Sequence, residues 1–506
     1  MSTALINPKR WLVLLAVMLA FLPVVIDMTI LHVAVPTLTQ DLRAPNNAVL
    51  WIIDIYPLLM AGLVVPMGTL ADRVGARKVL LAGLTIFGIA SLWAAFSTSA
   101  GMLIAARGLL AAGGAMIMPT VLGIIRKTFE DENERTIALG LWGMVGAAGA
   151  AIGPLIGGAL LAHFWWGSVF LINVPIMVVV IAACFFLLPS KEETTPGGWP
   201  IKQALILIVG MMTIVYGLKS GFGGNHSLSF AFIIMFTGTI LLAAFARLQL
   251  RSKQPMLDLS LFSSPAILAG IILAVVASGA LAGVELTLAQ ELQYVLGKTP
   301  FEAGVFLIPI MVAAAVGGPL ASFLFNRLGL QRVASAALMI AAASLGMLSV
   351  MDFHNPGLVI PSLLALLGLT LSIGLTASSV AIMGSVDASK AGAGGSLEAT
   401  AFELGTGLGI SVFGVFMSAT FSAAIELPPE LAQQYIEQAT RSIGDVFIVA
   451  NDLPVPTGEA LIEAGKIAFI ETHSKLLLTA AAMFAGLAFV VFFLLANNRI
   501  QAEITH

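Results

Sequence analysis

Apolar runs, each about long enough to cross a lipid bilayer, repeat along the whole chain with short polar or glycine-rich breaks between them. They fall near 11–35, 48–70, 79–97, 102–125, 137–160 and 168–188, then 201–219 and 227–246, then 265–290, 301–325, 333–351, 358–384, 397–421 and 474–496. About 20 apolar residues in a helix span a hydrocarbon core ~30 Å thick. The runs are too long for barrel strands and lack their two-residue alternation. The pattern predicts an all-α integral membrane protein with fourteen transmembrane helices. The opening run is too long for a cleavable signal peptide and no small-residue cleavage site follows it, so it reads as the first span.

Composition agrees with the pattern. Of 506 residues, 59% are hydrophobic and 10% charged, against roughly 25% charged in ordinary globular domains. The net charge of −3 adds nothing. The single cysteine, Cys184, lies in an apolar run, excludes an internal disulfide and reads as packing. No GxxxxGK[ST] loop is present, which counts against ATP as the energy source. The six histidines are scattered with no HExxH or paired-carboxylate motif, which counts against a multispan membrane enzyme. A receptor would bring a soluble output domain, and the chain has no stretch for one.

Lys and Arg in short loops set orientation. With the N-terminus cytoplasmic, seventeen of the 24 basic residues fall inside, among them Lys191, Lys253 and Lys390. Six fall outside (Arg43, Lys219, Lys298, Arg441, Lys466, Lys475), and Arg107 lies within a span. Both termini are thus expected inside. "GTLADRVGARK" (68–78) and "SFLFNRLGLQR" (322–332) close an apolar helix on the same side at an offset of 254 residues, close to half the chain. Two related halves with a helix pair between them are the layout of a two-bundle transporter. The division expected is 1–190 for an N-terminal six-helix bundle, 191–264 for two linker helices and a loop, and 265–506 for a C-terminal six-helix bundle.

The last bundle carries a long outer segment, 426–471, with eight acids against Arg441 and Lys466. Amphipathic helices are predicted from Pro429 to about Ile443 and over Gly458–Phe469. The segment reads either as a solvated hairpin or as an acidic lip that concentrates cations at the outer mouth.

Four ionisable groups within the spans set the candidate chemistry. Asp27 is the one ionised residue between Trp11 and Val35. It lies 16 residues, ~24 Å, along its helix. Asp54 in "LWIIDIYPLLMAG" and Arg107 in "LIAARGLLAAGGA" each lie about six residues from an outer helix end, so the three share a depth. An acid in mid-membrane usually faces a cavity, a partner or an ion path. A structural Asp–Arg pair accounts for two of the three; the remaining carboxylate suits a proton or an organic cation. Arg107 either snorkels to the interface or acts on a neighbouring acid. Trp51, one turn from Asp54, is either a membrane-belt residue or a stacking face for a cation. Glu285, in "GALAGVELTLAQ", lies near the outer face of the ninth span.

Two glycine motifs tie these helices together. In "GTLADRVGARK", Gly68 and Gly75 permit a tight turn, Asp72 can cap the following helix or pair with Arg73 or Arg77, and Lys78 closes the motif. In "GAAIGPLIGG", Gly149, Gly153, Gly157 and Gly158 make one small-residue face, and Pro154 removes a backbone donor.

With these motifs the chain resembles the major facilitator superfamily, whose second-to-third-helix loop reads GxLaDrxGrk, and within it the fourteen-helix drug/proton antiporters, which carry gxxxGPxxGG in the fifth helix. The resemblance covers essentially the whole chain, including "MLDLSLF", "AGAGGSLEATAFELG" and the long outer hairpin. The fourth-helix motif RxxQGxGaA is matched at Arg107, Gly113 and Ala115, with Leu110 and Ala111 in place of Gln and Gly. The resemblance implies titratable carboxylates at Asp27, Asp54 and Glu398, with Glu403 about one turn further, and a gating role for the 68–78 loop. A quaternary-ammonium exporter of that family has an acid in the tenth helix where this chain reads Ala314, so Glu285 either replaces that charge or is interfacial.

The expectation is a proton-coupled exporter of lipophilic mono- and dications in a bacterial inner membrane: quaternary ammonium antiseptics, dyes, viologens and bisbiguanides. It would work as a monomer in membrane lipid, with the proton gradient as its energy source and neither cofactor, metal nor nucleic acid. Export of neutral or anionic compounds is the alternative, and a carrier of anions should show several bases within its spans.

Overall fold

In the computed structural model, described here over residues 8–504 apart from 190–191, 193, 195–198, 223–226, 253–254 and 387–390, the described residues form helices and no strand. The expected loop bases Lys191, Lys253 and Lys390 lie outside them. Fourteen helices are long and apolar enough to cross a membrane. In chain order these spans are Lys9–Asp41, Asn46–Val74, Ala76–Ala95, Ala100–Thr128, Ile137–His163, Ser168–Leu187, Ile201–Gly221, Leu228–Arg251, Pro265–Val295, Pro300–Leu328, Leu330–Leu348, Val359–Met383, Ala393–Ala424 and Val455–Ala496. Each apolar run of the sequence becomes one span because a backbone in lipid must satisfy its own polar groups.

Local chemistry sets the ends. Ser99 and Ser227 cap the fourth and eighth spans, and Thr299 with Glu302 makes a reciprocal capping box before the tenth. Gly75 and Gly329 stand at the two related turns with φ of 108° and 82°, a backbone that disfavours any side chain. Their separation reproduces the repeat seen in the sequence.

Two cores form. One gathers the first six spans around Tyr56, Phe87, Phe129 and Phe170. The other gathers the ninth to twelfth and the fourteenth around Leu288, Leu345, Leu371 and Phe484. The seventh and eighth spans pack on each other at Gly210, Gly217 and Gly238, and rest on the second span, where a Cβ on Gly62 would meet Ile208. Trp199 donates to the Pro66 carbonyl at 3.0 Å.

The halves meet through backbone-close contacts near the end that carries residues 426–471. A Cβ on Gly407 would touch Leu58, one on Gly414 would touch Leu50, and one on Gly304 would lie 2.8 Å from the Pro154 carbonyl. Gly158 approaches Phe301 and Pro300 in the same way. Within the first half, the Gly149–Gly157 face packs on the first span: a Cβ at Gly153 would overlap the Thr29 hydroxyl, which donates to the Ala150 carbonyl at 3.0 Å.

The 426–471 segment differs from its expectation. Its helices are Gln433–Ala439 and Ile443–Ala450, and the helix expected over Gly458–Phe469 is the opening part of one continuous helix, Val455–Ile504, that includes the last span. The hairpin has its own apolar cluster of Tyr294, Phe421, Leu431, Val446 and Phe469. Seven of its eight acids are exposed and one is buried. Asp445 is buried, Asp452 meets Arg43 at 3.2 Å, and Glu437 and Glu471 pair with Arg441 and Lys475. Apolar burial anchors one side of the segment while most of its acids stay at the surface.

Two consequences can be measured. Gly153→Leu should force the first and fifth spans apart, costing about 1–3 kcal/mol; the purified protein should melt several degrees lower, and an unchanged melting curve would refute tight packing at this face. The second concerns pH. Asp445 accepts from the Ser442 hydroxyl at 2.8 Å and the Asn46 amide at 3.3 Å, but burial outweighs both and raises its pKa above the ordinary aspartate value. A carboxyl raised on folding favours the docked hairpin below its unfolded pKa, and that stability is lost as pH rises through the folded value. Hydrogen exchange over Ile443–Ala450, corrected for intrinsic rates, should show protection declining across this window, and Asp445→Asn should flatten the dependence.

Candidate functional site

Small residues around Arg107 let its long side chain lie between helices. Ala106 and Ala111 are buried beside it, and a Cβ on Gly114 would press on the Tyr56 hydroxyl at 2.9 Å. In that space Arg107 is 1% exposed. Its Nη1 donates to Asp27 Oδ2 at 2.6 Å, its Nε to the Ile52 carbonyl at 2.8 Å and its Nη2 to the Ile53 carbonyl at 3.3 Å. The guanidinium lies over the Tyr56 ring, 4.8 Å from its centroid, and Tyr56 donates to the Val24 carbonyl at 3.3 Å. First, second and fourth spans are thus joined through one cation. Asp27 Oδ1 has no partner among the described residues. Removing one member of such a buried pair costs about 3–5 kcal/mol, because the other is left charged in a low dielectric.

With Asp27 held by Arg107, the carboxylate left over at that depth is Asp54, and it is not free either. Lys219 of the seventh span donates to its Oδ2 at 2.8 Å, with both side chains buried, and Ser411 of the thirteenth donates to the same oxygen at 2.6 Å. The Lys219 ammonium also lies 3.9 Å from the centroid of the Trp51 ring, and Tyr216 packs at 6.3 Å from Trp51. Trp51 does face a cation, and the cation belongs to the protein. Arg107 is therefore not the only base within a span: Lys219 was placed in an outer loop because it stands near a helix end, yet it turns inward.

Glu285 is buried and meets His32 Nδ1 at 3.1 Å across the two halves, so it is not an exposed interfacial residue. A second buried acid–imidazole contact, Glu291 with His473, joins the ninth and fourteenth spans. Neither histidine carried a sequence signal, since the partners lie far apart in the chain and the histidines fit no spaced motif.

Glu403 is the group left over. The thirteenth span threads between the ninth and the second. A Cβ on Gly405 would touch Ser278, one on Gly407 would touch Leu58, and Ser278 donates to the Phe402 carbonyl at 2.9 Å. There Glu403 is 1% exposed, and neither carboxylate oxygen has a hydrogen-bond partner among the described residues. Gly407, one turn from Glu403, meets Leu58, two residues from Tyr56, so the pair and the leftover acid lie along one seam. Glu398, more than a turn earlier, is half-buried, and Ala314 leaves the tenth span without an acid in its middle.

The 68–78 turn is capped otherwise than expected. Asp72 is exposed and does not cap the third span. Glu192 accepts from the Arg77 amide at 3.1 Å, while the Arg77 side chain donates to the Phe185 carbonyl at 2.6 Å and lies over the Phe185 ring. Gly68 backs onto Pro119, and Lys78 is exposed.

Comparison with known proteins agrees with this architecture. The family model described as Major Facilitator Superfamily matches residues 17–410. The chain is 46% identical over 489 residues to the methyl viologen resistance protein SmvA of Salmonella typhimurium, covering 97% of this chain and 99% of that one. It is 34% identical over 500 residues to the multidrug efflux pump LfrA of Mycolicibacterium smegmatis, covering 96% and 98%. Among solved structures, a bacterial homolog to the human lysosomal transporter Spinster aligns with a TM-score of 0.67 at 17% identity, over 96% of this chain and 98% of that one. The charged turn repeated in both halves, the glycine face of the fifth span, the fourteen-span fold and these alignments have one common account: the chain belongs to the major facilitator superfamily of membrane transporters.

Proposed function

We propose that this transporter is a proton-coupled exporter of lipophilic organic cations, seated in a bacterial inner membrane with both termini cytoplasmic. The observation that carries the reading is Glu403, a fully buried carboxyl without a partner among the described residues. Such a group is stable in a low dielectric only when its charge is met. Either a proton or a bound organic cation can meet it, but not both at once. Competition of that kind couples inward proton flow to outward movement of the cation. Asp27 with Arg107, and Asp54 with Lys219, are already balanced and serve this cycle as neighbours of the exchanging group.

The relatives bear on substrate class. One is named for methyl viologen resistance and another as a multidrug efflux pump, and viologens are rigid dications. The alternative, export of anions, finds less support: the buried Arg and Lys of the described spans, Arg107 and Lys219, each already hold an acid. The turns at Gly75 and Gly329 would face the cytoplasm and the hairpin the outside, as the Lys and Arg distribution favours.

Ethidium transport in everted membrane vesicles tests the coupling. Uptake should require an imposed pH gradient, and Glu403→Gln, which keeps the shape and removes the exchangeable charge, should reduce it at least about tenfold while the protein remains folded in the membrane. Gradient-driven uptake at the normal rate in that variant would overturn the assignment. Orientation has its own test. In a Cys184→Ala background, an impermeant maleimide on intact cells should label a cysteine placed at Thr440 but not one at Ala76; the reverse pattern would invert the topology.

A further inference from the structure

The seventh and eighth spans stand outside both large cores, yet one of them places a charge inside. Lys219 reaches from the seventh span to Asp54 at 2.8 Å and lies 3.9 Å from the Trp51 ring centroid. The surroundings have the elements of an organic-cation site: a carboxylate, an aromatic face, and Tyr216 extending that face. Cation–aromatic contacts gain strength when desolvated. Asp54 Oδ1 is buried and has no partner among the described residues, so the acid has acceptor capacity left over. An open crevice at the hairpin end reaches Lys219 and is lined also by Asn46, Leu50, Val415 and Ser418, together with Arg441, which Glu437 neutralises at 2.6 Å.

We propose that Trp51, Asp54 and Tyr216 form a second cation-binding site near the hairpin end, and that Lys219 is its resident occupant, a tethered ammonium that must swing aside for an exported cation to pass. The inference rests on the reading of the protein as an organic-cation exporter. The four-carbon stem of lysine and its point charge suit such an exchange, since the ammonium can leave the Trp51 face without moving the helix. With Lys219 in place, Asp54 is neutralised and tied to Ser411 of the other half. When a substrate cation displaces it, the charge at Asp54 stays balanced while the lysine turns toward the crevice beside Asn46 and Ser418. The seventh span thereby has a task in transport beyond spacing the halves.

Equilibrium binding of tetraphenylphosphonium to the purified full-length protein tests this. Lys219→Gln removes the occupant and should tighten binding at least about tenfold. Lys219→Arg keeps a cation in place and should leave affinity at or below that of the unaltered protein. Adding Trp51→Leu to Lys219→Gln should abolish the gain, as should adding Asp54→Asn. Unchanged or weakened binding in Lys219→Gln, with the unaltered protein binding normally, would overturn this proposal and leave the exporter reading intact. An unaltered protein that neither binds the cation nor exports ethidium would overturn both. Lys219→Met is the second variant, apolar and close in length. If neither it nor Lys219→Gln yields folded protein, the lysine belongs to the fold and the proposal is overturned too.

Discussion

Charge buried in a medium that cannot solvate it is the constraint on which this structure depends. The chain has few ionisable residues, and those it places in the spans are met with care. Arg107 gives three donors to an acid and two carbonyls while lying on an aromatic ring. Lys219 is held by an acid and a tryptophan. Glu285 and Glu291 each meet an imidazole. These contacts decide which helices must touch, because an acid left alone would cost more than the packing around it supplies. Against that background Glu403 is conspicuous, with no such partner among the described residues.

Packing follows the same economy of space. Lipid offers helices little hydrophobic reason to associate, so close backbone approach at small residues does the joining. Gly153 and Gly157 seat the fifth span on the first, Gly158 and Gly304 seat it on the tenth, and Gly407 and Gly414 seat the thirteenth on the second. The last two contacts flank Ser411, so the hydroxyl bonded to Asp54 is positioned by the glycines on either side. Charge pairing and glycine packing are therefore one arrangement at the seam between the halves.

Much of this was legible in the sequence, and the reason is physical. A membrane helix must be long and apolar, so all fourteen spans appeared as runs, and rise per residue placed Asp27 and Arg107 at one depth. Positive φ at the 68–78 turn and its repeat followed from glycine. Contacts between distant segments were harder to read. Lys219 near a helix end looks the same whether it turns to water or to Asp54. His32 and Glu285 lie far apart in the chain and carry no local pattern. In the hairpin, acidity marks the exposed side, while the cluster of Val446, Ile443 and Phe469 that buries Asp445 forms only once distant segments meet. Asp72 offered a cap that Glu192, more than a hundred residues later, provides instead.

The order in which the chain is synthesised gives these pairings a further consequence. Asp27 enters the membrane 80 residues before Arg107, Asp54 precedes Lys219 by 165, and His32 precedes Glu285 by 253. Each early helix thus arrives with a charged or polar group whose counterpart does not yet exist. The first half cannot reach its final electrostatic balance while the ribosome is still making the spans that complete it. A nascent chain stopped after six spans therefore holds Asp54 without either of the groups, Lys219 and Ser411, that meet it in the finished protein.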